Sequence, residues 1–254
     1  MTFSERKTPS KSRQSQMTRV HTVKLIYHSL LFFGAAIFYV LNRIKGNTNV
    51  FKGSLGGQIL LFVMWLVFSV EMVFRLFPSK LETTGSQKHF KCNYKPINVG
   101  QAPKGQVVWR VVLTAAVWVL LNAFFVILYF LKIIDQDILI LLSLAYSVGD
   151  MVCVLFFCPY QVLFLKNRCC TTCRIYNWDY FMMCTPLIFV PHFFTWGLLA
   201  LSVIILLKWE ITALKFPERF CENTNDCLSC KNCQDKLCVN RSRFKKIINK
   251  RKPN

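Results

Sequence analysis

The chain is short of acid: 12 Asp and Glu stand against 32 Lys and Arg, a formal net charge of +20 over 254 residues. It also lacks the signatures of common soluble enzymes, with no P-loop, dinucleotide fingerprint, G-x-S-x-G elbow or H-E-x-x-H. An enzyme is the less favoured reading, a thiol-redox role of Cys169 and Cys173 beside their flanking arginines being the form it would take. No internal repeat or low-complexity tract organises it. A cleavable leader is not expected, because the apolar run Leu25 to Leu41 is too long for a signal-peptide core and ends in Asn42-Arg43 instead of a small-residue cleavage site. That run reads as an uncleaved first span.

The informative scarcity is local: five long stretches are nearly bare of charge. They run from Lys24 to Leu41, Gln58 to Phe77, Val107 to Leu131, Ile138 to Leu165 and Tyr180 to Leu207. Crossing the hydrocarbon core takes roughly 20 apolar residues as a helix, since lipid offers backbone groups no hydrogen bonds. A composition 54% hydrophobic exceeds the roughly 45–50% of soluble domains. The expected fold is therefore an all-α helical integral membrane protein with four spans plus a fifth span or re-entrant segment, and its first partner is the lipid bilayer. Trp109, Trp178 and Trp209, near segment ends, are expected as interfacial anchors. Residues 1–23, basic and rich in Ser and Thr, read as a disordered tail. Residues 24–209 form the membrane domain with a cysteine-rich loop at 158–179, and residues 210–254 a basic cysteine-rich tail. Pro78 to Gln106 reads as an exposed basic loop, and Lys132 to Asp137 as a tight helical hairpin turn.

Charge distribution bears on topology, because Lys and Arg prefer the cytoplasmic face. If all five segments cross once, the 32 basic residues divide evenly between the two faces, and the basic tails lie opposite one another. If the fifth region enters and leaves on one face, interrupted at Pro186 and Pro191, 28 of the 32 fall on the side of both tails. A single proline-kinked crossing is the alternative. The N-terminus is expected in the cytoplasm. The basic charge suits an anionic leaflet, and nucleic-acid binding is the weaker reading.

Most of the 12 cysteines fall in two hydrophilic clusters. One is Cys169-Cys170-Thr-Thr-Cys173. The other is Cys227-x2-Cys230-x2-Cys233-x4-Cys238, with Cys221 upstream. Repeated C-x2-C steps let thiolates converge on a soft ion, so these seven residues are the candidate metal ligands. The spacing suits tetrahedral zinc better than an iron–sulfur cluster, since the ferredoxin-type C-x3-C-P continuation is missing. Disulfides or free thiols are the competing readings. Only if both tails share a face can the two clusters complete one site. Cys153, Cys158 and Cys184 read as small hydrophobes.

Within the apolar segments, Asp150, Asn122 and His192 are candidates to line an ion or proton path, because ionisable groups in a membrane default to function. Interhelical hydrogen bonding is the structural alternative. Glu71 and Arg75, four apart, can pair on one helix face. His28 and His192 offer only weak evidence for haem. Three functions stay open: a thiolate metal centre in the loop and tail, a small ion or solute transporter using Asp150, and a scaffold whose basic tail binds anionic lipid or a protein partner.

Cys158-Pro159-Tyr160-Gln161, the Lys166-Asn167-Arg168-Cys169-Cys170 run, Cys173 to Asp179 and Pro217-Glu218-Arg219-Phe220 together resemble a family of uncharacterised bacterial polytopic membrane proteins over roughly the C-terminal half. The resemblance implies a bacterial cytoplasmic-membrane setting and draws attention to both cysteine clusters. It implies no substrate, reaction or residue role.

Overall fold

In the computed structural model the chain is described over residues 16–78, 85–98, 100, 102–103, 108–165 and 174–229. Eight α-helices lie in this part: α1 (Gln16–Ile44), α2 (Val50–Gly53), α3 (Leu55–Leu76), α4 (Gly85–His89), α5 (Val108–Phe130), α6 (Gln136–Leu155), α7 (Asp179–Cys184) and α8 (Phe193–Lys215). Between the described elements the one β contact is an isolated bridge from Pro96 to Asn225. Five helices are long and apolar enough to cross a membrane: α1, α3, α5, α6 and α8. Their outer faces carry bare aliphatic and aromatic side chains, such as Leu30, Phe33, Val119, Leu120 and Ile204, each more than half exposed. Water would drive such a surface to aggregate, whereas lipid solvates it at no hydrophobic cost. The chain is a multi-pass helical membrane protein.

Helix ends are set by local chemistry. The Ser54 hydroxyl accepts the Gly57 N–H and opens α3, and the Asp135 carboxylate accepts the Ile138 N–H and opens α6. Helix α1 starts earlier than its apolar run: Gln16 to Val23, expected in the disordered tail, are helical, with Thr18 and His21 buried. Packing overrides composition here, because those polar side chains lie against the bundle. The fourth apolar segment divides. Helix α6 stops at Leu155, and after Pro159, which has no N–H and cannot continue a helix, Tyr160–Leu165 form a π-helix packed on α5.

The fifth segment divides more deeply. Helix α7 passes into a 3₁₀ stretch, Thr185–Phe189, then into non-helical backbone at Val190 and Pro191, before α8 begins with the extended His192 as its cap. The buried carbonyl of Val190 accepts the Thr195 hydroxyl at 2.6 Å, so the break leaves that group satisfied. Six α-helical and five 3₁₀ residues plus a short extended piece reach roughly 28 Å, close to the ~30 Å hydrocarbon thickness. Contacts trace this path through the bundle. Asp179 meets Arg75 at the end of α3, Ser143 of α6 donates to the Met183 carbonyl at 2.8 Å, and Phe189 reaches Tyr129 and Phe130 at the end of α5. Beyond it Lys52 donates to the Pro191 carbonyl at 3.2 Å and to Gln136 Oε1 at 2.6 Å, drawing the turn to α2 and α6.

The broken segment thus runs from one end of the bundle to the other, and α8 runs back. The start of α1, the end of α3, the end of α6 and the end of α8 all stand at one end. There the chain after α8 joins the loop after α3: Ile97 N donates to the Thr224 carbonyl, and Asp226 N to the Lys95 carbonyl. Fully buried Asn225 clamps the two, its amide donating to the carbonyls of Lys88 and Arg219 and its oxygen accepting from Lys95 N and Cys227 N. Trp209, expected at the interface, is instead buried beneath this cover against Phe90 and Phe220.

Candidate functional site

Polar residues that share helix faces converge at this same end, inside the bundle. On α1, His21, Lys24 and His28 fall at helical spacing on one face; on α3, Glu71 and Arg75; on α6, Ser143, Ser147 and Asp150. The start of α7 supplies Asp179 and Tyr180. Glu71 is the hub. Its Oε1 lies 3.2 Å from His28 Nε2 and 3.7 Å from Lys24 Nζ, and its Oε2 accepts the Tyr180 hydroxyl at 2.9 Å. Arg75 and Asp179 form a buried ion pair, and the guanidinium packs over the rings of Tyr176 and Tyr180. Glu71 and Arg75, expected to pair on one face of α3, take partners from other elements: Glu71 from α1 and α7, and Arg75 from α7.

His28 carries information about protons. Its Nδ1 faces the Ser147 carbonyl at 3.4 Å, and its Nε2 faces the Glu71 carboxylate. A neutral imidazole has one N–H, so both contacts are hydrogen bonds only when this pair holds one extra proton, on the ring or on the carboxylate.

Beside the network lies a cavity of about 250 Å³. It forms because α5 and α6, joined by a short turn, are splayed apart by the π-helix and α7. Trp118, Tyr146, Asp150, Tyr160, Tyr176 and Asp179 are among its walls. The Trp118 ring stands 4.6 Å from Tyr146 and 6.4 Å from Tyr160, centroid to centroid. Partly buried Asp150 lies in the electrostatic reach of Asp179, Arg75, Cys158 and Lys24.

Of the three residues proposed from sequence for an ion path, the structure puts Asp150 in the cavity wall and the other two elsewhere. Asn122 is buried on α5 and donates to the Trp118 carbonyl one turn back, at 2.9 Å. His192 caps α8 at the far end, accepting from Phe194 N; burial, then the nearby Lys52 ammonium, hold its pKa below the ordinary histidine value. Sequence reasoning named Tyr160 and Asp179 only within the family resemblance, and gave neither them nor Tyr146 and Tyr180 a place in a site. The helical spacing of His21, Lys24 and His28 was the available signal, since three such residues on one face of a span need polar company.

Of the metal candidates, Cys227 is described. Its thiol donates to the Asn93 carbonyl at 2.9 Å, at the same end of the bundle as Leu165 and Arg174, between which the first cysteine cluster lies. Cys169, Cys170, Cys173, Cys230, Cys233 and Cys238 fall outside the described residues. Among the described residues no three His, Cys, Asp or Glu side chains converge as a metal site. No family profile, curated protein or solved structure matches the chain.

Proposed function

We propose that this protein is a small-cation transporter that binds its substrate in the cavity against Asp150 and exchanges it for a proton. The observation that carries this reading is the Asp150 carboxylate in the wall of a cavity beside a buried ionic network. Glu71, Asp150 and Asp179 share this interior with Lys24 and Arg75. A low-dielectric interior holds an ionised Asp150 only against a positive charge and otherwise protonates it. A bound cation supplies that charge in one state, and a proton on the carboxyl takes its place in the other. Charge balance then couples the two, because both present or both absent leaves an uncompensated charge among the helices.

The bundle's ends support an orientation. The end shared by both tails gathers 28 of the 32 Lys and Arg, which favours the cytoplasmic face of a bacterial plasma membrane. In liposomes holding the purified protein and a pH-sensitive dye, with the lumen acidified, external Na⁺, K⁺, tetramethylammonium, guanidinium or benzylammonium is each added in turn, with protein-free liposomes as the control for passive amine entry. At least one of them is expected to raise the internal pH, and Asp150→Asn to abolish the rise. Internal pH that no cation moves, or an Asp150→Asn protein as active as wild type, contradicts the reading.

A second reading is favoured by the common position of Cys227 and the ends of the 166–173 segment: a thiolate centre shared by the cysteine-rich loop and tail, holding zinc in preference to an iron–sulfur cluster. Protein purified under reducing conditions is expected to carry stoichiometric metal that is lost when Cys230 and Cys233 become Ser. Metal-free wild-type protein contradicts it.

A further inference from the structure

The cavity's walls say more than that a cation fits. We infer that the cation is a primary organic ammonium ion carrying an apolar substituent. This inference rests on the transport reading above and names its substrate class. Three features lead to it.

The first is the aromatic composition of the wall. The rings of Trp118, Tyr146 and Tyr160 cluster within 6.4 Å of one another, centroid to centroid through Trp118, and they line the same space as the Asp150 carboxylate. Ring faces attract cations that shed water easily, and they do little for a strongly hydrated Na⁺ or K⁺, which needs a shell of oxygen ligands. An alkylammonium ion satisfies both parts of the wall, with its charge at the carboxylate and its carbon skeleton against the rings.

The second is a hydroxyl. Tyr146 keeps its phenolic oxygen buried with no hydrogen-bond partner among the described residues. Buried hydroxyls are almost always satisfied, and this one, closed off from the cavity as it stands, gains a partner when the Tyr146 side chain turns toward a ligand. An ammonium N–H then donates to that oxygen while another donates to Asp150. A quaternary ammonium has no N–H and leaves the oxygen orphaned.

The third is size. About 250 Å³ is at or below the small end of ligand sites, roughly 300–1,000 Å³. It takes one ring or a short chain.

The test is binding to the full-length protein in lipid nanodiscs at neutral pH, measured by calorimetry with three probes of similar bulk: benzylammonium, benzyl alcohol and benzyltrimethylammonium. Benzylammonium is expected to bind saturably and at least about tenfold more tightly than the other two, the ratio set by one ionic hydrogen bond. Asp150→Asn is expected to weaken benzylammonium at least about tenfold, and Trp118→Leu about fivefold, with benzyl alcohol unchanged by the former. The wild-type comparison needs no variant to fold. Equal binding of benzyl alcohol overturns the inference by making the cavity merely apolar. Stronger binding of the quaternary probe overturns the role of the Tyr146 hydroxyl and the primary-ammonium class with it. No binding of benzylammonium, alongside protein that still exchanges protons for Na⁺, K⁺ or guanidinium, overturns the substrate class and leaves the transport reading intact. Loss of both overturns both.

Discussion

At the scale of single residues, the buried network separates side chains that hold the fold from one held ready for a ligand. Glu71 is of the first kind. Removing it takes a buried partner from Lys24, the His28 ring and the Tyr180 hydroxyl, all of which it serves. Glu71→Ala is expected to lower stability in detergent by about 3–5 kcal/mol, the cost of breaking a buried ionic cluster on one side. Tyr180→Phe, which removes one hydrogen bond, is expected to cost about 1–2 kcal/mol. Asp150 is of the second kind: its surroundings include a second carboxylate, Asp179, and a cavity. Asp150→Asn is expected to leave thermal unfolding unchanged or raise its midpoint, because it removes a desolvated charge while keeping the shape. A large loss of stability on that substitution contradicts the division. Part of this was legible in the sequence. An acid amid an apolar run identifies Asp150 by itself, whereas Asp179 and Tyr180 stand at a segment edge, where polar residues are ordinary. Only the fold turns them inward.

At the scale of elements, apolar length identified the crossing helices and said little about where the backbone breaks. Hydropathy sums side chains, so Ile138 to Leu165 reads as one span although Pro159 separates a helix from a π-turn. Likewise Tyr180 to Leu207 reads as one segment although 3₁₀ and extended backbone divide it. The prolines were visible. What they do depends on which neighbour satisfies the vacated carbonyls, as Thr195 does for Val190. Close packing was still less legible. At Gly57, where α3 starts against α2, a Cβ atom would come within 2.6 Å of the Phe51 backbone, which cannot move aside. Gly57→Ala is therefore expected to destabilise the protein by about 1–3 kcal/mol. Gly34, on α1 with nothing near its would-be Cβ, serves as the control: Gly34→Ala is expected to be neutral or slightly stabilising, through helix propensity, in the same thermal melts.

At the scale of the whole molecule, one arrangement joins the charge distribution, the broken fifth segment and the polar site. The segment from Asp179 to Val190 crosses the bundle, α8 crosses back, and the chain beyond α8 is clamped by Asn225 to the loop after α3. By chain order that path sets 28 basic residues against 4, and it puts Cys227, the described ends of the 166–173 segment and the mouth of the charged network at one end. The even division expected from five single crossings disappears, because the short crossing supplies a sixth. The metal reading and the transport reading each need this arrangement, the first to bring the clusters to one face and the second to give Asp150 its neighbours. The most direct test is the sidedness of the two chain ends in intact cells, read with a reporter active only in the cytoplasm and another active only outside it, fused in turn before Met1 and after Asn254. Both ends are expected to report the cytoplasm. Ends that report opposite faces contradict the path of the fifth segment, and the shared end of the bundle with it.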